Sequence, residues 1–478
     1  MKEQCVNIKQ MPRVMIAAMG SHSGKTVVTM GLLQHLLDKQ IGVCAFKCGP
    51  DYIDPMFHRM IPGVESRNLD TFFSGADEIT DILSHTKADY AVIEGVMGIY
   101  DGIHVSSLKG SCYEIASITK TPIFLLADAK GCGRTILSQI KGILADDKEH
   151  LIGGILFNRM SGNFYEKIAP YMEEELRLGG MSHVKLLGAL PPDNEITLES
   201  RHLGLVMPDE TEKIREKIRC CAKLLEKHCD LHELNSLMRT APDLLMREPA
   251  AAEREDTGDV RAGMKNGRPV LAVAKDEAFC FYYRNNLEQL EKSGVTIRYF
   301  SPLHDEAIPT DAAGLLLGGG YPELHLAELA GNTSMISSIR NAIEDGMPSI
   351  AECGGFMYLH KSVCDPDGRS FLLVGALDGI CRYTGHPVRF GYIGVKCMHD
   401  TAAFSEDLTG LKGHEFHYYD STCNGTDCLV RKPVSGREWD CMFADDTRLW
   451  GFPHFYYDRD RQLTDGFVKA MRAYLAKK

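Results

Sequence analysis

The run Ala18-Met19-Gly20-Ser21-His22-Ser23-Gly24-Lys25-Thr26, set between the apolar stretch Val14 to Ala17 and a helical pattern from Val27, constrains this chain more than any other feature. A strand, a small-residue turn and a helix in that order predict a phosphate cradle, because backbone N–H groups and the positive end of the helix converge on one point. Ser23 and Gly24 shape the turn, Lys25 brings a full charge, and Thr26 offers a hydroxyl to magnesium. The glycine that usually opens such a loop is replaced by Met19, with Gly20 one step late. The alternative is an ordinary strand-to-helix turn, against which Gly-Lys-Thr in this setting argues.

Further apolar segments alternate with helical ones. Val43 to Phe46, Tyr90 to Ile93, Pro122 to Ala127, Leu151 to Phe157 and Lys185 to Leu190 read as buried strands, which predicts an α/β fold with a doubly wound parallel sheet. Ligands of such sheets sit beyond the carboxyl ends of the strands. One strand end runs into Lys47-Cys48-Gly49-Pro50-Asp51-Tyr52-Ile53-Asp54-Pro55, and another ends at Glu94. Lys47, Asp51 and Asp54 suit a substrate or phosphate site, and Thr26, Asp51 and Glu94 are the candidate magnesium ligands, since a hard cation takes oxygen donors. A plain turn built by Pro50 and Pro55, with solvated aspartates, is the other reading. Asn158, at the end of another strand, is a candidate contact for a nucleotide base that its spacing alone does not establish.

At 478 residues the chain exceeds one ordinary core. A charged helical pattern runs from Pro208 to Leu237, after which 241–268 lacks apolar periodicity and reads as a linker. The expected domains are therefore a phosphate-loop domain over 1–240 and a second domain over 269–478. A net charge of −12 argues against an extended nucleic-acid surface. No apolar run approaches the roughly 18 residues of a membrane span, and the first residues lack a signal peptide's apolar core, so no membrane association and a cytoplasmic location are expected. Sixteen cysteines without export signals fit a reducing compartment, and neither Cys220-Cys221 nor Cys423, Cys428 and Cys441 has the spacing of a metal site.

The second half restarts with strands over Pro269 to Ala274, Val295 to Phe300 and Gly314 to Leu317, and with a helix expected over Asp276 to Lys292. Gly318-Gly319-Gly320-Tyr321-Pro322-Glu323 follows the third strand, where glycines permit close backbone approach and can offer N–H groups to an oxyanion. Ser349-Ile350-Ala351-Glu352-Cys353-Gly354-Gly355-Phe356 has the pattern of a nucleophile elbow, with Cys353 at a helix start whose dipole is expected to favour the thiolate. Two segments offer a base: His414 and His417 in Gly413 to Tyr419, and His454 in Trp450 to Tyr456.

Together Ser23 to Thr26, Lys47 to Pro55, Glu94 to Gly102, Gly318 to Glu323, Glu352 to Phe356 and Gly413 to Tyr418 resemble the cobyrinate a,c-diamide synthase family, nearly end to end. The resemblance implies a dethiobiotin-synthetase-like ATP domain fused to a class I glutamine amidotransferase domain of flavodoxin-like fold. It implies amidation of the a and c acetates of a corrinoid with ATP, glutamine and Mg2+, through acyl phosphates. By the same resemblance Ser23, Gly24, Lys25 and Thr26 bind ATP, Cys353 is the nucleophile, His454 its base with His417 as second choice, and the amides of Gly319 and Gly354 form the oxyanion hole. Many class I amidotransferases carry glutamate two residues beyond that histidine, and here the position is Tyr456, which leaves a Cys353–His454 dyad. Amidation of another tetrapyrrole such as nickel sirohydrochlorin, the reaction of cobyric acid synthase, and a non-enzymatic nucleotide switch are the rival readings. A homodimer is among the arrangements the resemblance allows.

Overall fold

The computed structural model describes residues 7–192, 208–246, 267–397, 403–457 and 461–478. They fall into two compact α/β units, Met1–Glu248 and Pro249–Lys478.

In the first unit seven strands among the described residues pair in parallel, in the order Ser66–Leu69, Val43–Cys48, Tyr90–Glu94, Arg13–Ala18, Ile123–Asp128, Ile152–Asn158, Lys185–Leu190. The strand Arg13–Ala18 is apolar almost throughout because both its faces are covered. Met15 and Ala17 enter one core, and Val14, Ile16 and Ala18 enter the other. The chain leaves it toward Val43–Cys48 on one side and crosses to Ile123–Asp128 on the other only after Tyr90–Glu94, a reversal of strand order that puts the ligand crevice of such a sheet at its carboxyl end. The helix Lys25–Asp38 starts in that crevice. Gly31 lets the helix Pro208–His228 close over its outer face, since a Cβ there would lie 2.7 Å from Leu225 Cδ1.

Arg13, fully buried, anchors the opposite end of that strand. It donates to the carbonyls of Met11 (3.1 Å), Thr119 (2.7 Å) and Pro242 (2.9 Å) and to Thr121 Oγ1 (3.1 Å). Burial lowers its pKa to about 10, so it stays charged at neutral pH. The chain reaches Pro242 on its way to a strand over Leu244–Met246, which pairs antiparallel with Asn7–Lys9. The expected linker therefore begins later than residue 241. Its first residues are tied to the first unit by backbone pairing and by Arg13, and 247–266 lie outside the described residues.

The second unit holds a six-stranded sheet among the described residues, ordered Thr296–Phe300, Val270–Ala274, Ala312–Leu317, Ser349–Glu352, Arg448–Gly451, Phe443–Ala444, parallel except for the last. Two further sheets are built from residues 360–455, a region in which the sequence suggests no strands: a mixed four-stranded one, in which His360–Cys364 and Leu377–Tyr383 pair in parallel, and an antiparallel five-stranded one. The helix expected over Asp276 to Lys292 is also corrected, since it occupies only Arg284–Lys292. Asp276 Oδ1 accepts the N–H groups of Ala278 and Phe279, which turns the chain, and Phe279–Phe281 pairs with Gly319–Gly320 as a strand.

We predict that Arg13→Leu, by stranding buried carbonyls, destabilises the first unit by about 3 kcal/mol. Urea unfolding followed by circular dichroism checks this. Both tryptophans, Trp439 and Trp450, lie in the second unit, so the fluorescence transition stays in place.

Candidate active sites

The phosphate turn has the geometry that its residues require. Gly24 sits at φ 90° just before the helix, a conformation that favours glycine, and a Cβ there would meet Asn158 Nδ2 at 2.6 Å. Asn158, the candidate base contact, donates to the Ser23 carbonyl at 2.9 Å and braces the loop. Lys25 folds over the turn, donating to Gly20 O at 3.2 Å and Met97 O at 2.6 Å. Burial, and then the charge of Lys47, lowers its pKa.

Behind the turn lies a buried polar cluster. Glu94, fully buried at its strand end, accepts from Thr26 Oγ1 (2.8 Å) and Lys47 Nζ (3.1 Å) on one oxygen, and is bonded by His58 Nε2 (2.8 Å) on the other. His58 Nδ1 is in turn 2.9 Å from Ser66 Oγ. Lys47 also reaches Asp54 at 2.5 Å, and Thr26 reaches Asp54 Oδ1 at 3.3 Å. One lysine thus stands between two acids. Against its own burial, Glu94 is held well below the usual carboxylate range by Lys47 and His58. Burial, then the Glu94 charge, pushes Asp54 up to about 8. Asp51, expected as a third ligand, has one oxygen committed to the backbone: its Oδ1 accepts from Ile53 N (2.7 Å) and Asp54 N (3.1 Å) and starts the helix Ile53–Arg59. Among the described residues no group of three or more His, Cys, Asp or Glu could hold a metal by itself. Thr26, Glu94 and Asp54 do offer oxygens around one point, a donor set that suits a cation arriving with phosphates.

In the second unit Cys353 occupies φ 46°, ψ −102°, a strained turn between the strand Ser349–Glu352 and the helix Gly354–Leu359. The glycines around it permit close approach. A Cβ on Gly355 would lie 2.1 Å from Leu317 O, one on Gly354 would lie 3.2 Å from Gly320 N, and one on Gly319 would lie 2.4 Å from His454 Cε1. The thiolate expected from the helix start is not favoured here. Burial, and then the nearby Glu323 carboxylate, pushes the thiol up, with Glu415 and Glu352 adding to it, against one N–H from Gly354. A six-residue helix does not offset that desolvation, so the proton must leave to a base.

His454 is tied to the elbow. It lies against Gly319, its Nδ1 is 3.8 Å from Glu352 Oε2, and its ring stacks on His414 at 5.0 Å. His414 is kept neutral by burial and then by His454. His417 makes other contacts, with Nδ1 2.6 Å from Tyr419 O and its ring stacked on Phe452 at 4.0 Å. The sequence reading missed His58, although it follows Asp54 by one helical turn, and it gave Glu352 no role; neither burial nor partners show in an isolated residue.

Residues 14–206 match the CobQ/CobB/MinD/ParA nucleotide binding domain, and residues 270–459 the CobB/CobQ-like glutamine amidotransferase domain. Over 445 residues the chain is 36% identical to the cobyrinate a,c-diamide synthase of Caldanaerobacter subterraneus subsp. tengcongensis, covering 92% of this chain and 94% of that protein. The chain belongs to the cobyrinate a,c-diamide synthase family. The Clostridium tetani relative of that name is 36% identical, covering 85% of this chain and 87% of its own, and the Clostridium acetobutylicum one is 35% identical, covering 94% and 97%. Membership makes this chain a glutamine-hydrolysing carbon–nitrogen ligase, with a phosphate-loop nucleotide domain followed by an amidotransferase domain. No helix among the described residues is long and apolar enough to cross a membrane.

The raised Asp54 pKa has a defined sign. In the unfolded chain its carboxyl titrates near 3.9, so the folded state holds the proton more tightly, and the associated stability is present below about pH 4 and lost as pH rises through about 8. Asp54→Asn removes this loss. Its Tm advantage over wild type, without nucleotide, is predicted to widen between about pH 5 and pH 8 by about 3 °C or more, as read by calorimetry.

Proposed function

We propose that this chain amidates the a and c acetate carboxylates of cobyrinate in cobalamin biosynthesis, consuming ATP and glutamine and passing through acyl phosphates. The observation that carries the proposal is the presence, on one chain, of a strained cysteine elbow and a phosphate loop backed by buried acids. The first is suited to releasing ammonia, and the second to activating a carboxylate.

In the glutaminase reaction the Cys353 sulfur attacks the carboxamide carbon while its proton passes to His454. The amides of Gly319 and Gly354 receive the developing oxyanion. His454 then returns the proton to the departing nitrogen, ammonia leaves, and water hydrolyses the glutamyl thioester. In the synthetase reaction Ser23, Gly24 and Lys25 hold the ATP phosphates, and Lys47 with Asp54 and Asp51 lines the carboxylate side. Thr26 and Glu94 are the groups that would hold Mg2+, with Asp51 and Asp54 close by. The ion would supply charge neutralisation between the phosphates. A corrinoid carboxylate oxygen attacks the γ-phosphorus and ADP departs. Ammonia then displaces phosphate from the acyl phosphate, giving the amide. Activation is required because a carboxylate by itself is a poor acyl donor to an amine.

The test is incubation of purified protein with glutamine, magnesium ATP and either cobyrinate or nickel sirohydrochlorin, with products weighed by mass spectrometry. Two OH-to-NH2 exchanges on cobyrinate are expected. Exchange on nickel sirohydrochlorin alone, or ATP turnover that needs only another protein, would overturn the proposal. Cys353→Ala is predicted to abolish glutamine use while ammonium still supports product, and Lys25→Ala to stop amidation from either nitrogen source with glutamine hydrolysis still measurable. Gly319→Ala drives a methyl group toward His454 and is predicted to lower glutamine-dependent kcat by about 100-fold, measured against ammonium-dependent kcat in the same preparation.

A further inference from the structure

An imidazole that shuttles a proton at one nitrogen needs a group at the other to fix its tautomer and to stabilise the cation formed in the step. The residue two places beyond His454 is Tyr456, which carries no charge for this purpose. The structure brings an acid from a different direction. Glu352, the residue immediately before Cys353, is almost fully buried, and its Oε2 lies 3.8 Å from His454 Nδ1. Its other oxygen is fixed by the segment that follows the histidine, accepting the Tyr457 hydroxyl at 2.5 Å and the Phe455 N–H at 3.3 Å. The strand register seals the arrangement, since Glu352 pairs with Gly451, three residues before His454.

We infer that Glu352 is the positioning carboxylate of the glutaminase, holding His454 with Nδ1 protonated and Nε2 turned to the Cys353 thiol. The inference rests on the roles proposed above for Cys353 and His454. The acid belongs to the nucleophile's own strand, so one strand end supplies both the thiol and the anion that steadies its base. As the thiol proton moves to His454, the new positive charge lies beside Glu352, and the separation between them tightens to a hydrogen bond. The Tyr457 hydroxyl keeps Oε1 from rotating into that position. A second buried acid lies in the neighbourhood: Glu415 Oε1 is 3.9 Å from His417 Nε2, and neither Glu415 oxygen has a hydrogen-bond partner among the described residues. It faces His417, the second-choice base, and not His454, and so supplies the contrast.

The experiment compares Glu352→Gln, Glu352→Asp, Tyr457→Phe, Glu415→Gln and Cys353→Ala in the full chain. For each, glutamine hydrolysis, ammonium-supported amidation and the rate of Cys353 alkylation by iodoacetamide are measured. Glu352→Gln is expected to lower glutaminase kcat by about 100-fold or more, with the KM for glutamine within about threefold and ammonium-supported amidation unchanged, and to slow alkylation in parallel. Glu352→Asp, which keeps the charge, is expected to recover part of kcat, and Tyr457→Phe to lose about tenfold. Glutaminase kcat within threefold of wild type in Glu352→Gln would overturn the inference, as would a larger loss in Glu415→Gln than in Glu352→Gln. So would equal loss of both amidation reactions. If Glu352→Gln fails to fold, a folded Tyr457→Phe with unchanged kcat overturns it. Persistence of glutamine hydrolysis in Cys353→Ala would instead sink the assignment of the nucleophile, which separates the two failures.

Discussion

A carboxylate with no access to water, Glu94, organises the nucleotide unit. A buried charge of this kind survives only if its oxygens are filled, and here they are filled by Thr26 from the phosphate-loop helix, Lys47 from the neighbouring strand and His58 from the helix that follows it. Three separate elements are thereby held to one strand end. Removing any of these donors leaves the acid uncompensated, so the cluster resists drift as well as binding its ligand. The cost of collecting charge appears at Asp54, which shares Lys47 with Glu94 and retains a proton well above the usual range. The resting site is therefore not a simple array of anions awaiting a cation, since burial and the Glu94 charge favour the protonated form of Asp54.

The amidotransferase unit follows another principle, the exclusion of side chains. Gly319, Gly354 and Gly355 stand where a methyl group would strike His454, the Gly320 amide or the Leu317 carbonyl. Backbone can then pack against backbone around the strained Cys353, leaving the Gly354 N–H close to the sulfur. The buried acids nearby make spontaneous ionisation of the thiol unfavourable, so reactivity waits on the histidine.

What could be read in advance depended on how each residue is buried. Strands covered on both faces, such as Arg13–Ala18 and Ile123–Asp128, leave continuous apolar runs and were legible, as were the phosphate turn and the elbow, whose small residues answer to local geometry. The edge strand Ser66–Leu69 was not, because its polar residues serve the site: Ser66 holds His58, and Asn68 donates to the carbonyls of Gly49 and Asp51. The two further sheets within 360–455 were not legible for a related reason. Several of their strands have only three or four residues, and in the nine-residue pair Arg389–Cys397 and Thr409–His417 exposed aromatics such as Phe390 and Phe416 blur the alternation. The state of the Cys353 thiol was misread because a helix start is visible in a sequence, whereas desolvation and the approach of Glu323 and Glu415 from other parts of the chain are not.

The cysteine and the histidine hang from different sheets, Cys353 from the parallel one and His454 from the edge of an antiparallel one, with only Phe452 and Pro453 between Gly451 and the histidine. The gap between them is a gauge of the spacing of those two sheets. A strand that loosens at the antiparallel edge carries the base away while both hydrophobic interiors stay intact. The thiol left behind is buried and protonated, hence inert. Partial damage to this unit therefore yields a silent hydrolase rather than one that squanders glutamine.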